Sequence, residues 1–332
     1  MLSLKENFFE TMKHGKPDAF VNGWEPFPQA WDPVFFTMYP FSAPQSGETV
    51  KNPLGVTMYW GKGEPGAMPI VTEETKVVKD VTKWRDYVEF FDFRKKYNLD
   101  WTQVKADADA IRAQDKFVMV WNVTGLFEMS HFLMGFEDTL MNLLEEPEAM
   151  HEIINAIKDF KLSQIEYMID EIKPDVFMTH DDWGSKTSMF MAPDVWREFY
   201  KEPWREIFSL IKSKGCITMH HADSYLEPIC PDLVDIGIDI FQGVLPTNNI
   251  QKIKKDTDCK LVLMGGLDVT KIDVPDWTEA DVRAEVARAC KEYHEGGMYI
   301  PSLTMGGEGS LYEGVEDIVK DEVRNQSKIY FK

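Results

Sequence analysis

The sequence has little of what marks a secreted or membrane-spanning protein. Its 332 residues include only four cysteines, widely spaced and without a Cys-x-x-Cys pair, so reduced thiols are expected rather than a disulfide framework. No uncharged stretch approaches the roughly 18 apolar residues of a membrane helix. The N-terminus carries charges throughout and lacks the apolar core of a signal peptide. We therefore expect a cytoplasmic protein.

Positive charge is also scarce. The chain has 36 lysines and arginines against 56 aspartates and glutamates, which gives a net charge of −20. Such an acidic balance argues against nucleic acid or an anionic membrane as the partner. Hydrophobic residues make up 44% of the chain and exclude extensive disorder. We expect residues 1–332 to form one domain, with an elaborated N-terminal region at 22–69.

From about residue 115, short apolar runs alternate with stretches of helical periodicity. The runs are KFVMVWNV, DVFMTHDDWG, CITMHH, IDIFQGV, KLVLMGGLD and MYIPSL. Apolar strands separated by amphipathic helices are typical of a parallel sheet covered by helices. Six such strands, with two more expected at 19–25 and 55–60, favour a (β/α)8 TIM barrel. A doubly wound open sheet is the alternative, but no G-x-G-x-x-G follows the first strand.

Polar residues cluster where these predicted strands end. They are Asn122, His180, Asp181, Asp182, His220, His221, Asp223, Gln242 and Asp268. In a parallel barrel the carboxyl ends of the strands lie on one face, where active sites are built. We therefore expect these residues to converge there.

The adjacent histidines His220 and His221 cannot both point into the barrel, because neighbouring strand residues face opposite sides. His221 and Asp223 lie two residues apart and can point the same way, so they are candidate ligands for a metal such as zinc. The alternative is that Asp223 only orients His221 in a loop. Alternation alone does not decide which of the two histidines faces the pocket.

The segment His180-Asp181-Asp182-Trp183 predicts proton transfer. Adjacent carboxylates repel each other, so one of them is expected to have a raised pKa. Alternation directs only one of Asp181 and Asp182 into the pocket, and a helix N-cap is the alternative role. His180, Asp181, His221 and Asp223 are thus the catalytic candidates.

Further residues are candidates for substrate binding: Asn122, Glu128, Asp182, Trp183 and Gln242. His131 shares a helical face with Glu128 but could equally be a packing histidine. The many Trp and Phe residues at 24–41 and 58–60 either line an aromatic substrate pocket or plug the barrel.

Several segments resemble the uroporphyrinogen decarboxylase superfamily, and within it the corrinoid-linked methyltransferases. They include NFFETMKHGKPD, GLFEMSHFLMGFEDTLMNLLEEPE, HDDWGSKTSMFMAPDVWREFYKEPWREI, HHADSYLEPICPDLVDIGIDIFQGV and GGMYIPSLTMGG. The decarboxylase branch holds its tetrapyrrole carboxylates with an arginine-rich N-terminal stretch. Here the corresponding NGWEPFPQAWDPVFF has no arginine, which disfavours that substrate.

The methyltransferase branch binds zinc through His-x-Cys and a later cysteine. The resemblance aligns His221 with that histidine, Asp223 with the first cysteine and Met305 with the second. It thereby selects His221 as the inward histidine, so we expect His221 and Asp223 to act as one unit, with His220 turned away. A His/Asp site is harder than a thiolate site and suits an oxygen substrate, or no metal. If an ion is bound, Glu308 is a candidate to complete its ligands.

The resemblance implies transfer of a methyl group from a small methoxylated compound to a corrinoid (cobalamin) carried by a partner protein. A poor oxygen leaving group needs a proton or a Lewis acid. Two alternatives remain: a decarboxylase-type lyase acting on a small or tetrapyrrole acid, and a degenerate barrel that only binds a corrinoid or an aromatic molecule.

Overall fold

The computed structural model describes residues 2–64, 66–304 and 312–331. A small antiparallel sheet comes first, and a parallel sheet follows in which each strand pairs with the next along the chain. The antiparallel strands are β1 (Thr49–Lys51), β2 (Thr57–Tyr59) and β3 (Met68–Pro69). The parallel strands are β4 (Met119–Asn122), β5 (Val176–His180), β6 (Ile217–His221), β7 (Ile240–Val244), β8 (Val262–Gly266) and β9 (Tyr299–Ser302).

Helices surround the parallel sheet and connect its strands. Before β4 these are α1 (Leu4–Met12), α2 (Pro33–Met38), α3 (Phe93–Lys96) and α4 (Thr102–Arg112), with a 3-10 helix at Val81–Asp86. From β4 to β6 they are α5 (Leu126–Met134), α6 (Phe136–Glu145), α7 (Pro147–Ile172), α8 (Pro193–Trp196), a π-helical turn at Arg197–Lys201 and α9 (Glu202–Ser213). After β6 come a 3-10 turn at Glu227–Ile229, α10 (Cys230–Asp235), α11 (Ile250–Asp256), α12 (Val269–Ile272), α13 (Glu279–Tyr293) and α14 (Val315–Tyr330). This alternation confirms the predicted α/β barrel fold.

The two extra barrel strands expected at 19–25 and 55–60 were wrong. Residues 57–59 form the middle strand of the small antiparallel sheet. Residues 20–30 instead run irregularly through the gap between the edge strands β4 and β9. On one side, the Met119 N–H donates to Pro28 O and the Ala30 N–H donates to Met119 O. On the other side, Gly23 lies against Ser302 of β9, since a Cβ built on this glycine would be only 3.5 Å from Ser302 Oγ. This segment therefore covers both open edges, which would otherwise expose unpaired backbone groups.

Strand alternation divides the apolar residues into two layers. Phe177 of β5 faces the helices, whereas Val176 and Met178 point into the barrel and join an interior cluster with Met219 and Met264. At the N-terminal end of the strands the interior is closed by aromatic rings, listed with their centroid separations: Phe8–Phe27 at 5.0 Å and Phe8–Phe117 at 5.0 Å. At the opposite end polar side chains replace the apolar ones, and this end holds the candidate site.

All four cysteines are free thiols, as expected. Over the described part of the chain, no helix combines the length and the apolar character needed to cross a bilayer.

Candidate active site

Two histidines and a glutamine form the polar layer at the carboxyl ends of the strands. His180 pairs in register with His221, and His221 pairs with Gln242 on the next strand. Residues in register on neighbouring parallel strands point to the same side, so all three face inward at one level. The two imidazole rings stack with centroids 4.7 Å apart and planes inclined by 22°. The predicted convergence of these three residues is thus present.

His180 is held by a carboxylate from α5. Its Nδ1 lies 2.9 Å from Glu128 Oε2, and the same carboxylate oxygen accepts a hydrogen bond from the Gly125 N–H. His180 Nε2 lies 3.8 Å from Asp182 Oδ2. Burial opposes a charge on His180, but Glu128, Asp182 and Asp181 together raise its pKa to about 10. In the absence of a metal, His180 is therefore the cationic group of the site.

His221 is oriented by Gln242, and the predicted pairing with Asp223 is not observed. The Gln242 amide donates from Nε2 to Thr304 O at 3.0 Å, which directs its Oε1 toward His221 Nδ1. Because that oxygen can only accept, His221 Nδ1 carries the proton and Nε2 has the free lone pair. Burial and the nearby charge of His180 lower the pKa of His221 to about 3, so this imidazole is neutral.

Asp181 points away from the polar layer and caps α5. Its two oxygens accept hydrogen bonds from four donors: Phe127 N, Glu128 N, Trp183 Nε1 and Trp204 Nε1. The side chain is fully buried. Its contacts therefore favour a structural role over the predicted catalytic one. The donors fix the start of α5, and with it the position of Glu128.

Asp182, and not Asp181, faces the histidines. Its Oδ1 accepts hydrogen bonds from the Asp223 N–H at 3.1 Å and from Ser224 Oγ at 3.3 Å. These contacts leave Oδ2 directed toward His180. Burial, together with the charges of Glu128 and Asp223, raises the pKa of Asp182 to about 7, although the charge of His180 opposes this shift. Burial also raises the pKa of Asp223, which remains beside the site but outside the stacked pair.

Three predicted residues face the helices. His220 is fully buried. Its Nδ1 forms a hydrogen bond of 2.8 Å with Thr179 Oγ1, and its ring stacks on Trp183 with centroids 4.4 Å apart. This outward orientation agrees with strand alternation. Trp183 and Asn122, expected to bind substrate, also point away from the polar layer: Trp183 packs on His220, and Asn122 contacts Gln164 of α7 at 3.4 Å.

Two further polar residues, His131 and Asp268, make structural contacts. His131 contacts the rings of Phe127, Phe132 and Phe136, and burial lowers its pKa, so it is a packing histidine. Asp268 caps α12 through the Thr270 N–H.

The N-terminal aromatic residues close the barrel, which is one of their two expected roles, and they also reach the polar layer. Phe27 closes the base of the barrel, whereas Tyr39 lies beside Glu128, whose charge adds to burial in raising the pKa of the tyrosine. Trp121 meets the His180 ring edge-on, with centroids 5.9 Å apart. Aromatic surface therefore flanks the polar layer.

Lys161 was missed by the sequence reasoning. This α7 residue is 2% exposed, and its Nζ donates to Val123 O at 3.0 Å in the turn between β4 and α5. The signal was available, because Lys161 falls between Ile157 and Ile165 on the apolar face of the helix. Burial lowers its pKa to about 7, although the Glu128 and Asp181 charges oppose the shift.

The depressed pKa of Lys161 predicts a pH-dependent stability. The unfolded chain holds this proton up to the ordinary lysine pKa of 10.5, whereas the folded chain releases it near 7. The free energy of unfolding should therefore rise with pH between these values, by at most about 1.4 kcal/mol per pH unit. In urea titrations at pH 7, 8 and 9, wild type should gain stability relative to Lys161→Met. The exposed control Lys95→Met should parallel wild type; parallel curves for Lys161→Met would contradict the assignment.

One ligand atom from each of His180, Asp182 and His221 lies within 4.8 Å of the others. This set differs from the predicted set of His221, Asp223 and Glu308. Asp223 is not among the converging donors, while Glu308 and Met305 lie outside the described residues.

The family model for uroporphyrinogen decarboxylase (URO-D) matches residues 49–307, which include every residue of the polar layer. The chain belongs to this family. The resemblance seen in the sequence is thereby confirmed. A search of curated proteins found no match.

Among solved structures, a methyltransferase from Methanosarcina mazei matches with a TM-score of 0.69 at 16% identity, covering 99% of this chain and 100% of the other. At that identity the match supports the fold of this uroporphyrinogen decarboxylase family member rather than its substrate. An endo-beta-1,4-xylanase from Gloeophyllum trabeum matches with a TM-score of 0.41 at 10% identity, covering 70% of this chain and 83% of the other. That similarity is too remote to support an argument.

Proposed function

We propose that the protein transfers a methyl group from a methoxyaromatic compound to the corrinoid of a partner protein. The observation that carries the proposal is the convergence of His180, Asp182 and His221, which offer nitrogen and oxygen donors at the barrel mouth. Family membership and the similarity to a methyltransferase support the reaction class. The flanking rings of Tyr39 and Trp121 support an aromatic substrate.

The reaction breaks a methyl–oxygen bond, so the chain must stabilise the charge that develops on the departing oxygen. The reduced corrinoid supplies the nucleophile that accepts the methyl group. His180, held by Glu128, places positive charge at the strand ends, where an oxygen anion would be stabilised and would finally take up a proton. Asp182 and His221 fix that position from the two sides.

The thiolate zinc site of the methyltransferase branch does not fit this chain. That site activates a thiol substrate through cysteine ligands, and here Asp223 and Met305 stand at the cysteine positions. The Cys216 and Cys230 thiols donate to the backbone carbonyls of Pro174 and Leu226, away from the polar layer. Nitrogen and oxygen ligand atoms suit a substrate whose methyl group is bound to oxygen better than they suit a thiol substrate.

The proposal predicts which substrates react. Purified protein should be incubated with chemically reduced cobalamin, or with a corrinoid protein from the same organism, and with methoxybenzoates, methanol, methyl thioethers or methylamines. We expect methylated corrinoid, measured by its visible absorption spectrum, only with the methoxyaromatic compounds, together with an equal amount of the demethylated phenol measured by chromatography.

Two other outcomes would decide against this function. Release of CO2 from a panel of carboxylic acids would favour the decarboxylase alternative. Corrinoid or aromatic binding without turnover of any donor would favour a barrel that only binds.

A further inference from the structure

Three donors at the barrel mouth have the spacing of an incomplete metal shell. The ligand atoms of His180, Asp182 and His221 all lie within 4.8 Å of one another, and His180 Nε2 is 3.8 Å from Asp182 Oδ2. Ligands about 2.1 Å from a tetrahedral zinc ion lie roughly 3.4 Å apart. Side-chain adjustments of the order of an ångström would therefore allow all three to reach one ion.

Each histidine is oriented so that, once Nε2 is deprotonated, it has the tautomer that a metal requires. His180 Nδ1 is paired with Glu128, and His221 Nδ1 with Gln242, so both imidazoles would present Nε2. The Gln242 orientation is in turn fixed by its bond to Thr304 O. A histidine that binds a metal through one nitrogen usually donates the other N–H to a carboxylate or carbonyl oxygen. Here both histidines satisfy that pattern.

The carboxylate is held as firmly as the imidazoles. Asp182 Oδ1 accepts from the Asp223 N–H and from Ser224 Oγ, which leaves Oδ2 free to bind an ion. The Asp182 side chain is 28% exposed and the His180 side chain 19%, so an ion has a path from solvent. The carboxylates of Glu128 and Asp182 both lie against His180, so the donors of the site include the oxygen ligands that a divalent cation prefers.

We propose that His180, Asp182 and His221 bind one divalent transition-metal ion, zinc being the first to test, with Glu128 and Gln242 orienting the two imidazoles. Two imidazoles and one carboxylate suit zinc or iron(II), and they leave at least one position for water or a substrate oxygen. The proposed ligand set contains Asp182 instead of Asp223, and it contains no cysteine.

Metal binding tests the proposal without any methyl donor. Chelator-treated full-length protein should be titrated with Zn²⁺ against a chromophoric chelator, with metal content measured by mass spectrometry. Wild type should bind one ion per chain. His180→Ala, Asp182→Asn and His221→Ala should each weaken binding at least about 100-fold, and Gln242→Ala about 10- to 100-fold. With Co²⁺, wild type should show visible absorption bands that the three ligand variants lose.

Two controls make the test specific. His151→Ala removes a histidine that is 43% exposed on α7, and Asp223→Asn removes the carboxylate that the sequence alone suggested. Both should bind Zn²⁺ like wild type, and circular dichroism should confirm that every variant is folded. Absence of stoichiometric Zn²⁺ and Co²⁺ binding in wild type would overturn the proposal, as would equal affinity in folded His180→Ala or His221→Ala.

The proposal concerns the same site as the proposed function, but the two can fail separately. Stoichiometric metal without methyl transfer from any donor would reject the function and retain the metal site. Methyl transfer by a protein that binds neither Zn²⁺ nor Co²⁺ would retain the function and reject the metal site, leaving His180 as the group that stabilises the leaving oxygen.

Discussion

Replacing His221 with alanine is expected to reduce methyl transfer by about 100- to 10,000-fold while leaving the protein folded. His221 stacks on His180 at the barrel mouth and is fixed by Gln242. Its loss removes a donor from the polar layer and leaves the Gln242 oxygen without its partner. The measurement is the initial rate of phenol formation at saturating methoxyaromatic substrate, normalised to folded protein by circular dichroism.

His220→Ala provides the matched control, because it changes the neighbouring residue on the same strand. His220 faces the helices, stacks on Trp183 and contacts Thr179 Oγ1. Its removal should lower the free energy of unfolding by about 1–3 kcal/mol, since it leaves a cavity and an unpaired hydroxyl. The rate per folded molecule should stay within a few-fold of wild type. A well-folded but inactive His220→Ala, or a nearly normal His221→Ala, would reverse the assignment of the two histidines.

Gly125→Ala is expected to destabilise the protein by at least about 3 kcal/mol, because no space exists for a methyl group where α5 begins. A Cβ on Gly125 would lie 2.2 Å from Asp181 Cβ and 2.5 Å from the carbonyl oxygen of His180. The Gly125 backbone itself has φ −80°, which alanine adopts without strain, so the expected cost is purely steric. Urea unfolding followed by circular dichroism measures the loss.

The same substitution should disturb the site even in molecules that fold. Relief of the overlap requires α5 to move away from the end of β5, which separates Glu128 from His180. Gly66→Ala is the control, because a Cβ there meets no atom within 4 Å and the glycine has no positive φ. That variant should match wild type within about 0.5 kcal/mol. Equal stability of the two variants would show that the α5–β5 contact is less rigid than described.

The position of Asp181 explains how the site depends on the rest of the barrel. Four N–H donors from α5, Trp183 and Trp204 converge on one buried carboxylate, while the adjacent Asp182 faces the histidines. One aspartate thus positions the helix that carries Glu128, and its neighbour lies in the site. Side-chain alternation along the chain produces this division of roles.

The sequence by itself determined the α/β alternation, the six parallel strands and the placement of the polar residues at one end of the barrel. These features depend on local hydrophobic periodicity and on the rule that parallel strands end on a common face. Alternation also showed that only one of His220 and His221 faces the interior, and the family resemblance selected His221. The family resemblance was equally readable, because it lies in contiguous segments.

Only the tertiary structure decided which polar residues meet. His221 is partnered by Gln242 from the next strand and not by nearby Asp223, because strand register brings together residues 21 positions apart. Asp181 was assigned to a structural role by donors from α5 and α9, which no local pattern encodes. The N-terminal segment likewise covers the β4 and β9 edges without regular strand structure, because its conformation is set by those distant edges and not by its own periodicity.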